Sequence, residues 1–231
     1  MEEFLKKIQF VKTKDGSHTL YNPLFKESYH SLYGAITESK HVFIQSGLVF
    51  YYLRHQPDDI IVGEMGFGTG LNAFLTLIWA EKNKVHIVYE TYENFPIPIE
   101  QIEKLNYSGY FADHFKEKFL LIHQASWNRL VQITPYFSIK KIQRDFHEVD
   151  EINKWNVVYF DAFGPRVQPE LWNERMMKKM YLATAYEGVF VTYSAKGQVR
   201  RNLLEAGFEV EKIPGPPGKR EMLRAIKKVL S

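Results

Sequence analysis

Apolar positions along the chain follow two rhythms, and their alternation predicts the architecture. Residues 8–11 and 18–21 alternate as short strands do, and they flank Asp15-Gly16, a hairpin signal. From 22 to 46 the chain is polar and aromatic with only a weak helical pattern, which predicts an N-terminal appendage over 1–46 leading into a main domain over 47–231. Beyond it, strand and helix signals take turns. Residues 60–62 read as a buried strand, and 71–81 are apolar nearly all round, as in a helix covered on both sides. Strands are predicted at 85–92, 119–123, 157–160 and 188–193, with helices over 169–182 and 199–206, the second closed by Gly207. Two late strands, 208–213 and 221–226, flank the turn PGPPG. Strands alternating with helices imply an α/β fold with a mostly parallel sheet wrapped on both faces, and the final pair adds an antiparallel edge.

Composition narrows the class. The chain has 231 residues, 45% of them apolar, and no cysteine, so disulfides and thiolate metal sites are excluded. No apolar run is long enough to span a membrane, and the opening MEEFLKKIQF carries charges where a signal peptide needs an apolar stretch. A cytoplasmic protein is expected. The net charge of +3 is unevenly placed: from Lys196 onward nine basic residues face four acids. That tail suits a polyanionic partner or an ordinary solvated surface equally well. The eight histidines show no paired spacing on a helix, so no metal site is expected. Neither a G-x-S-x-G nor a Walker loop is present.

The turn 64–70, EMGFGTG, joins the first main strand to the first main helix. Its glycines allow a sharp turn and let a ligand lie against main-chain N–H groups, while a helix N-terminus favours electron-rich ligand atoms. Gly66, Phe67, Gly68, Thr69 and Gly70 are therefore the candidate cofactor loop. Glu64, two residues before Gly66, suits a cationic ligand such as S-adenosylmethionine, whose sulfonium and ammonium are positive. Beside a dinucleotide's pyrophosphate it would repel. Glu93 stands near the end of the next strand, about twenty residues on, where a carboxylate accepts ribose hydroxyls; Glu90 rivals it for that role. A nicotinamide fingerprint counted from Gly66 needs Gly or Ala where Leu71 stands. Counted from Gly68, Ala73 meets its looser form but leaves Gly66 and Glu64 without a role. An NAD(P)-dependent oxidoreductase thus ranks second.

The loop DAFGP, starting at Asp161, follows the strand 157–160 and falls at the carboxyl end of a central strand, beside the crevice where such sheets bind ligands. There Asp161 either accepts a hydrogen bond from a substrate nitrogen, with Phe163 and Pro165 against a base, or caps the helix that follows. Methyl transfer to an alkylamine needs the neutral amine, and deprotonating a lysine-like group at pH 7 costs roughly 4 to 5 kcal/mol. An ionised Asp161 worsens this unless it takes the proton itself. Orienting the amine and accepting its proton are separate roles.

Five ordered blocks, GEMGFGTGLNAF, YENFPI, YFDAFGPRVQPELW, YSAKGQVRRNLLEAGF and GPPGKREMLRA, together with the upstream YHSLYGAITESKHVFI, resemble one family: the methyltransferase domain of the bifunctional tRNA 5-methylaminomethyl-2-thiouridine biosynthesis enzymes. The resemblance spans nearly all of the chain. It implies a Rossmann-like class I S-adenosylmethionine-dependent methyltransferase acting on the aminomethyl group of a wobble uridine in tRNA, with a methyltransferase of the same fold on a small-molecule or protein amine as the alternative. It also implies Glu64, Gly66 and Gly68 in the cofactor loop, Glu93 at the ribose, Asp145 of IQRDF near the adenine and Asp161 beside the reacting groups. An anticodon loop presents an unstacked base and a charged backbone. Tyr29, Tyr33 and Phe163 are then candidate stackers, and Lys196, Arg200, Arg201, Lys219 and Arg220 candidate phosphate contacts. The bifunctional members continue into an FAD-dependent oxidoreductase domain, whereas this sequence stops at Ser231. A separate oxidoreductase or upstream modification enzyme would then supply the aminomethyl substrate. The oligomeric state is left open.

Overall fold

Asp15-Gly16 turns the chain back on itself, pairing β1 (Gln9–Lys12) antiparallel with β2 (His18–Asn22), and β3 (Glu27–Ser28) completes a small sheet. The computed structural model describes residues 8–229; the charged stretch MEEFLKK, on which the expectation about a signal peptide rests, lies outside the described residues. Asp15 also reaches beyond its own turn. One carboxylate oxygen accepts from the Ser17 amide at 3.0 Å, and the other from the Thr37 amide at 2.9 Å. The small sheet is thereby fastened to the N-terminal turn of a helical segment over 35–55 (α1). The middle of α1, Lys40–Val49, is wound as a π-helix, and the segment passes through 46 and 47 without a break. Val42, Phe43, Ile44 and Leu48 bury its inner face in the same core as the main sheet.

The main sheet follows from β4 (Asp59–Met65), α2 (Leu71–Asn83), β5 (His86–Tyr92), the short α3 (Ile99–Ile102), α4 (Lys116–Gln124), β6 (Leu130–Thr134), β7 (Phe137–Ile142) and β8 (Trp155–Phe160). It is completed by α5 (Glu174–Ala183), β9 (Thr184–Thr192), α6 (Gly197–Ala206), β10 (Glu209–Pro214) and β11 (Glu221–Ile226). The strand order is β10-β11-β9-β8-β4-β5-β7-β6. Pairs among β9, β8, β4, β5 and β7 are parallel, and both flanks are antiparallel. This is the α/β fold with a mostly parallel sheet and an antiparallel edge that the apolar rhythm implies. Among the described residues no helix is long and apolar enough to cross a membrane.

Three elements differ from the sequence expectation. Residues 119–123, expected as a strand, belong to the helix α4. Phe119 and Ile122, three apart, are its buried residues, and a short apolar run carries no period that separates strand from helix. The helix expected over 169–182 is interrupted at Asn173, whose side chain caps α5 by accepting from the Met176 amide at 2.9 Å. The β6–β7 pair was not expected: its polar positions (Gln132, Ser138, Lys140) hide the edge strands in a sequence window.

One interaction locks β4, β5 and β8 together below the site. Trp155 is fully buried, and its indole N–H donates to Glu90 at 2.9 Å while Lys154 pairs with the same carboxylate at 2.8 Å. Gly63 lies under the indole, where an added Cβ would come within 2.1 Å of the ring. Trp155→Ala should lower the unfolding free energy by about 3–5 kcal/mol, read as a shift of the urea midpoint.

Candidate functional site

The chain runs from β4 to β5 and β7 on one side of the sheet, and from β8 to β9 on the other. A crevice beyond the carboxyl ends of strands at such a switch point is where open α/β sheets hold ligands. A cavity of about 760 Å3 opens there.

The glycine turn forms one wall. Gly66, Gly68 and Gly70 take φ of 99°, 47° and 70°, values that favour glycine. A Cβ on Gly66 would lie 2.8 Å from the carbonyl oxygen of Asp161, so the bare backbone lets the two loops touch. Gly66, Phe67, Gly68 and Thr69 face the cavity, whereas Gly70 is turned toward His123 at the start of α2. Glu93, just past β5, accepts from the Gly68 amide at 3.1 Å and from the Phe95 amide at 2.8 Å, bracing the turn while lining the cavity. Its rival Glu90 is committed to Trp155 and Lys154 and does not reach the cavity. Asp145 lies on the wall, accepting from the His147 amide at 2.8 Å and pairing with the His147 ring at 2.7 Å. Burial would raise the Asp145 carboxyl, but these His147 contacts outweigh it and hold it below its usual range.

Glu64 does not meet the cavity. Strand alternation turns it to the same side of the sheet as Val62, where it is 1% exposed beneath α2. Thr91 donates to it at 2.7 Å and Asn72 at 3.1 Å. Burial pushes its pKa up to about 7 in spite of those hydrogen bonds. A carboxyl raised in the fold adds stability that is complete below its usual 4.5 and is lost as pH climbs through about 7. Thermal melts of the ligand-free protein should therefore fall between pH 5 and pH 8, and Glu64→Gln should flatten that fall.

The carboxylate on the cavity floor is Asp161. Its Oδ2 accepts from Asn72 Nδ2 at 2.9 Å. It caps no helix, since the next helical turn begins at Pro169. Burial, with Glu38 and Glu64 nearby, raises its carboxyl well above the usual range, and Lys219 acts in the opposite direction. Above it the Phe163 ring lies 5.0 Å from both Phe25 and Tyr29, and the Gly164 amide donates to Glu27 at 3.2 Å. The small N-terminal sheet is thus the roof of the site. Lys219 pairs with Glu38 at 2.8 Å and lies 3.9 Å over the Tyr193 ring, so its charge is engaged inside the cavity wall.

The other sequence candidates lie elsewhere. Pro165, Tyr33, Lys196, Arg200, Arg201 and Arg220 are outside the lining. Tyr33 backs onto Gly218 with Lys14 over its ring at 4.2 Å, and Arg201 donates to Gln198 at 2.7 Å. Conversely, the wall includes Asn72, Glu38, His30 and Tyr193, which sequence reasoning did not single out. Asn72 carried a signal, as a polar residue placed among apolar neighbours in a helix. His30 is buried with its pKa pushed down to about 4 by that burial, so it is neutral at pH 7.

The sequence profile of the S-adenosyl-L-methionine-dependent methyltransferases matches residues 113–228, half of the chain. The chain belongs to this family. Curated relatives of this methyltransferase include the tRNA 5-methylaminomethyl-2-thiouridine biosynthesis bifunctional protein MnmC of Nitrosospira multiformis, 29% identical over 89% of the chain and 35% of the relative. The protein of the same name from Hydrogenovibrio crunogenus is 27% identical over 96% of the chain and 34% of the relative. The chain therefore spans about a third of the length of either. Among solved structures, MNMC2 from Aquifex aeolicus superposes with a TM-score of 0.77 at 24% identity, covering 100% of this chain and 77% of that one. Spermidine synthase from Thermotoga maritima gives 0.53 at 14% identity, covering 95% and 72%. Both share the fold. The cavity of this methyltransferase fits its cofactor: it offers glycine backbone without side chains, carboxylates for a cationic ligand, and a buried acceptor, Asn72 Oδ1, with no hydrogen-bond partner among the described residues.

Proposed function

We propose that this methyltransferase acts in the cytoplasm on the aminomethyl group of a modified wobble uridine in the anticodon loop of tRNA. The observation that carries the reading is the juxtaposition of a half-buried carboxylate, Asp161, with the aromatic group of Phe163, Phe25 and Tyr29 in one cavity beside the glycine turn. The names of the curated relatives and their similarity along most of the chain support the substrate class. Gly66, Phe67, Gly68 and Thr69 would hold the cofactor's amino-acid end, Glu93 its ribose and Asp145 its adenine side. S-adenosylmethionine, when bound, supplies an already activated methyl group, so the protein's task is chiefly positioning.

Phe163 and its aromatic neighbours receive the uracil ring, a role that an unstacked base suits. Asp161 takes a proton from the substrate ammonium and frees the lone pair that attacks the methyl. Its raised proton affinity narrows the gap to the amine, since each pKa unit of mismatch costs about 1.36 kcal/mol. The two roles left open by the sequence, orienting and accepting, thus fall to one side chain at different moments. Lys196, Arg200, Arg201 and Arg220 would contact phosphate from the surface outside the cavity.

Purified protein, labelled S-adenosylmethionine and tRNA bearing 5-aminomethyluridine should give labelled tRNA, and unmodified tRNA should not. Turnover of a free small amine in place of tRNA would defeat the substrate assignment. Phe163→Ala should raise KM for the tRNA about tenfold, since base–aromatic stacking is worth about 1–3 kcal/mol.

A further inference from the structure

Asn72 stands between the buried carboxyl of Glu64 and the half-buried one of Asp161. Its Nδ2 donates to Glu64 Oε1 at 3.1 Å and to Asp161 Oδ2 at 2.9 Å, so both amide protons are used. The amide's other end behaves differently. Asn72 is 4% exposed, lines the cavity, and its Oδ1 has no hydrogen-bond partner among the described residues. A buried amide carbonyl left without a donor costs about 1–3 kcal/mol, and an alanine or leucine at this turn of α2 would avoid that cost. Asp161 presents a similar half-used group: its Oδ2 is held by Asn72, and no hydrogen bond reaches its Oδ1 from the described residues.

We infer that Asn72 Oδ1 and Asp161 Oδ1 together form a two-acceptor cradle for the N–H groups of an amine. The fork explains the geometry. By gripping both carboxylates, the Nδ2 end fixes the rotamers of Asn72 and Asp161, and it leaves one oxygen of each without a donor among the described residues. Two acceptors suit an amino group, which has at least two N–H bonds, whereas a hydroxyl would satisfy only one. They also leave the lone pair of a neutral primary amine directed away from the protein oxygens, toward a methyl donor. Two amines meet in this reaction: the α-amino group of S-adenosylmethionine and the acceptor amine. Both present the same chemistry to the cradle. The inference rests on membership of the methyltransferase family for the first and on the proposed aminomethyl substrate for the second.

Asn72→Ala removes the acceptor, and three nucleosides tell the sources apart in calorimetry. S-adenosylmethionine and S-adenosylhomocysteine have the α-amino group; 5′-methylthioadenosine keeps the adenosine and lacks it. If the cradle holds the cofactor's amine, the first two should lose about 10- to 100-fold in affinity, the effect of one hydrogen bond to a charged group, while 5′-methylthioadenosine is unchanged. If it holds the acceptor amine, all three bind as before, and the single-turnover rate on aminomethyl tRNA drops by a similar factor. An equal loss for all three nucleosides would mark Asn72 as a structural brace and overturn the inference, as would unchanged binding with an unchanged rate. Asn72→Ser, whose shorter hydroxyl still bonds within the turn of α2, is expected to follow the alanine pattern and stands in for it if the alanine protein does not fold. Wild-type protein that failed to bind S-adenosylmethionine would remove the family reading first; wild-type binding with no transfer to the tRNA would remove only the substrate proposal.

Discussion

Asp161→Asn should lower the rate of methyl transfer by about 10²- to 10⁴-fold, the range for losing a positioned proton acceptor, with the cofactor still bound. The asparagine can turn its Oδ1 toward Asn72 Nδ2, so the hydrogen bond now made at 2.9 Å is kept and the loop stays in place. The negative charge, the proton affinity and the second acceptor oxygen are lost. Single-turnover kinetics at saturating cofactor separate this outcome from a folding defect, because calorimetry on the same protein should return a nearly normal affinity for 5′-methylthioadenosine, which lacks the α-amino group. The variant should also be more stable than the wild type at neutral pH. The Asp161 carboxyl is raised by burial and by Glu38 and Glu64, so its contribution is favourable in acid and is lost as pH rises. A variant that retained most of its transfer rate would remove Asp161 from the chemistry.

Gly66→Ala should damage both cofactor binding and methyl transfer. The residue has φ of 99°, and its new Cβ would lie 2.8 Å from the Asp161 carbonyl oxygen, a backbone atom that cannot swing aside. Backbone held in such a region costs on the order of 1–3 kcal/mol for a residue with a side chain. The larger consequence is displacement. Moving the glycine turn or the Asp161 loop by about 1 Å spoils the alignment of reacting groups, which typically costs about 100-fold in rate. Calorimetry should show weakened S-adenosylmethionine binding, and the transfer rate should fall further than binding alone accounts for. Gly109→Ala, at a position where a Cβ would meet nothing within 4 Å, is the matching control and should be nearly silent.

The buried strands and the glycine turn could be read directly because their physics is local. A strand buried on both faces must be apolar throughout, as VVYF at 157–160 is, and a chain that turns sharply into a helix needs glycine where φ is positive. Those patterns alone give the α/β class, the switch-point crevice and the choice of Asp161, which follows a central strand. Residues whose pattern is ambiguous over a few positions were legible only after folding. The run 119–123 became a helix because Phe119 and Ile122 found a core on one side, and the partly polar strands β7 and β6 form in turn on the edges that β5 and then β7 offer.

The same division runs through the site. The sequence by itself determined that a glycine turn, an acid near the end of the next strand and a second acid after a later strand would be present, since spacing along the chain sets all three. Tertiary structure alone decided which way each carboxylate faces. Glu64, the acid closest to the turn in sequence, is rotated under α2 by strand alternation, and Glu90 is taken by Trp155 and Lys154. Asp161, nearly a hundred residues from Glu64 along the chain, is joined to it through Asn72. The N-terminal sheet that roofs the cavity, and the Lys219–Glu38 pair that ties α1 to the last hairpin, likewise arise from contacts between segments far apart in the chain. Orientation across such distances is set by packing, and no window of sequence contains it.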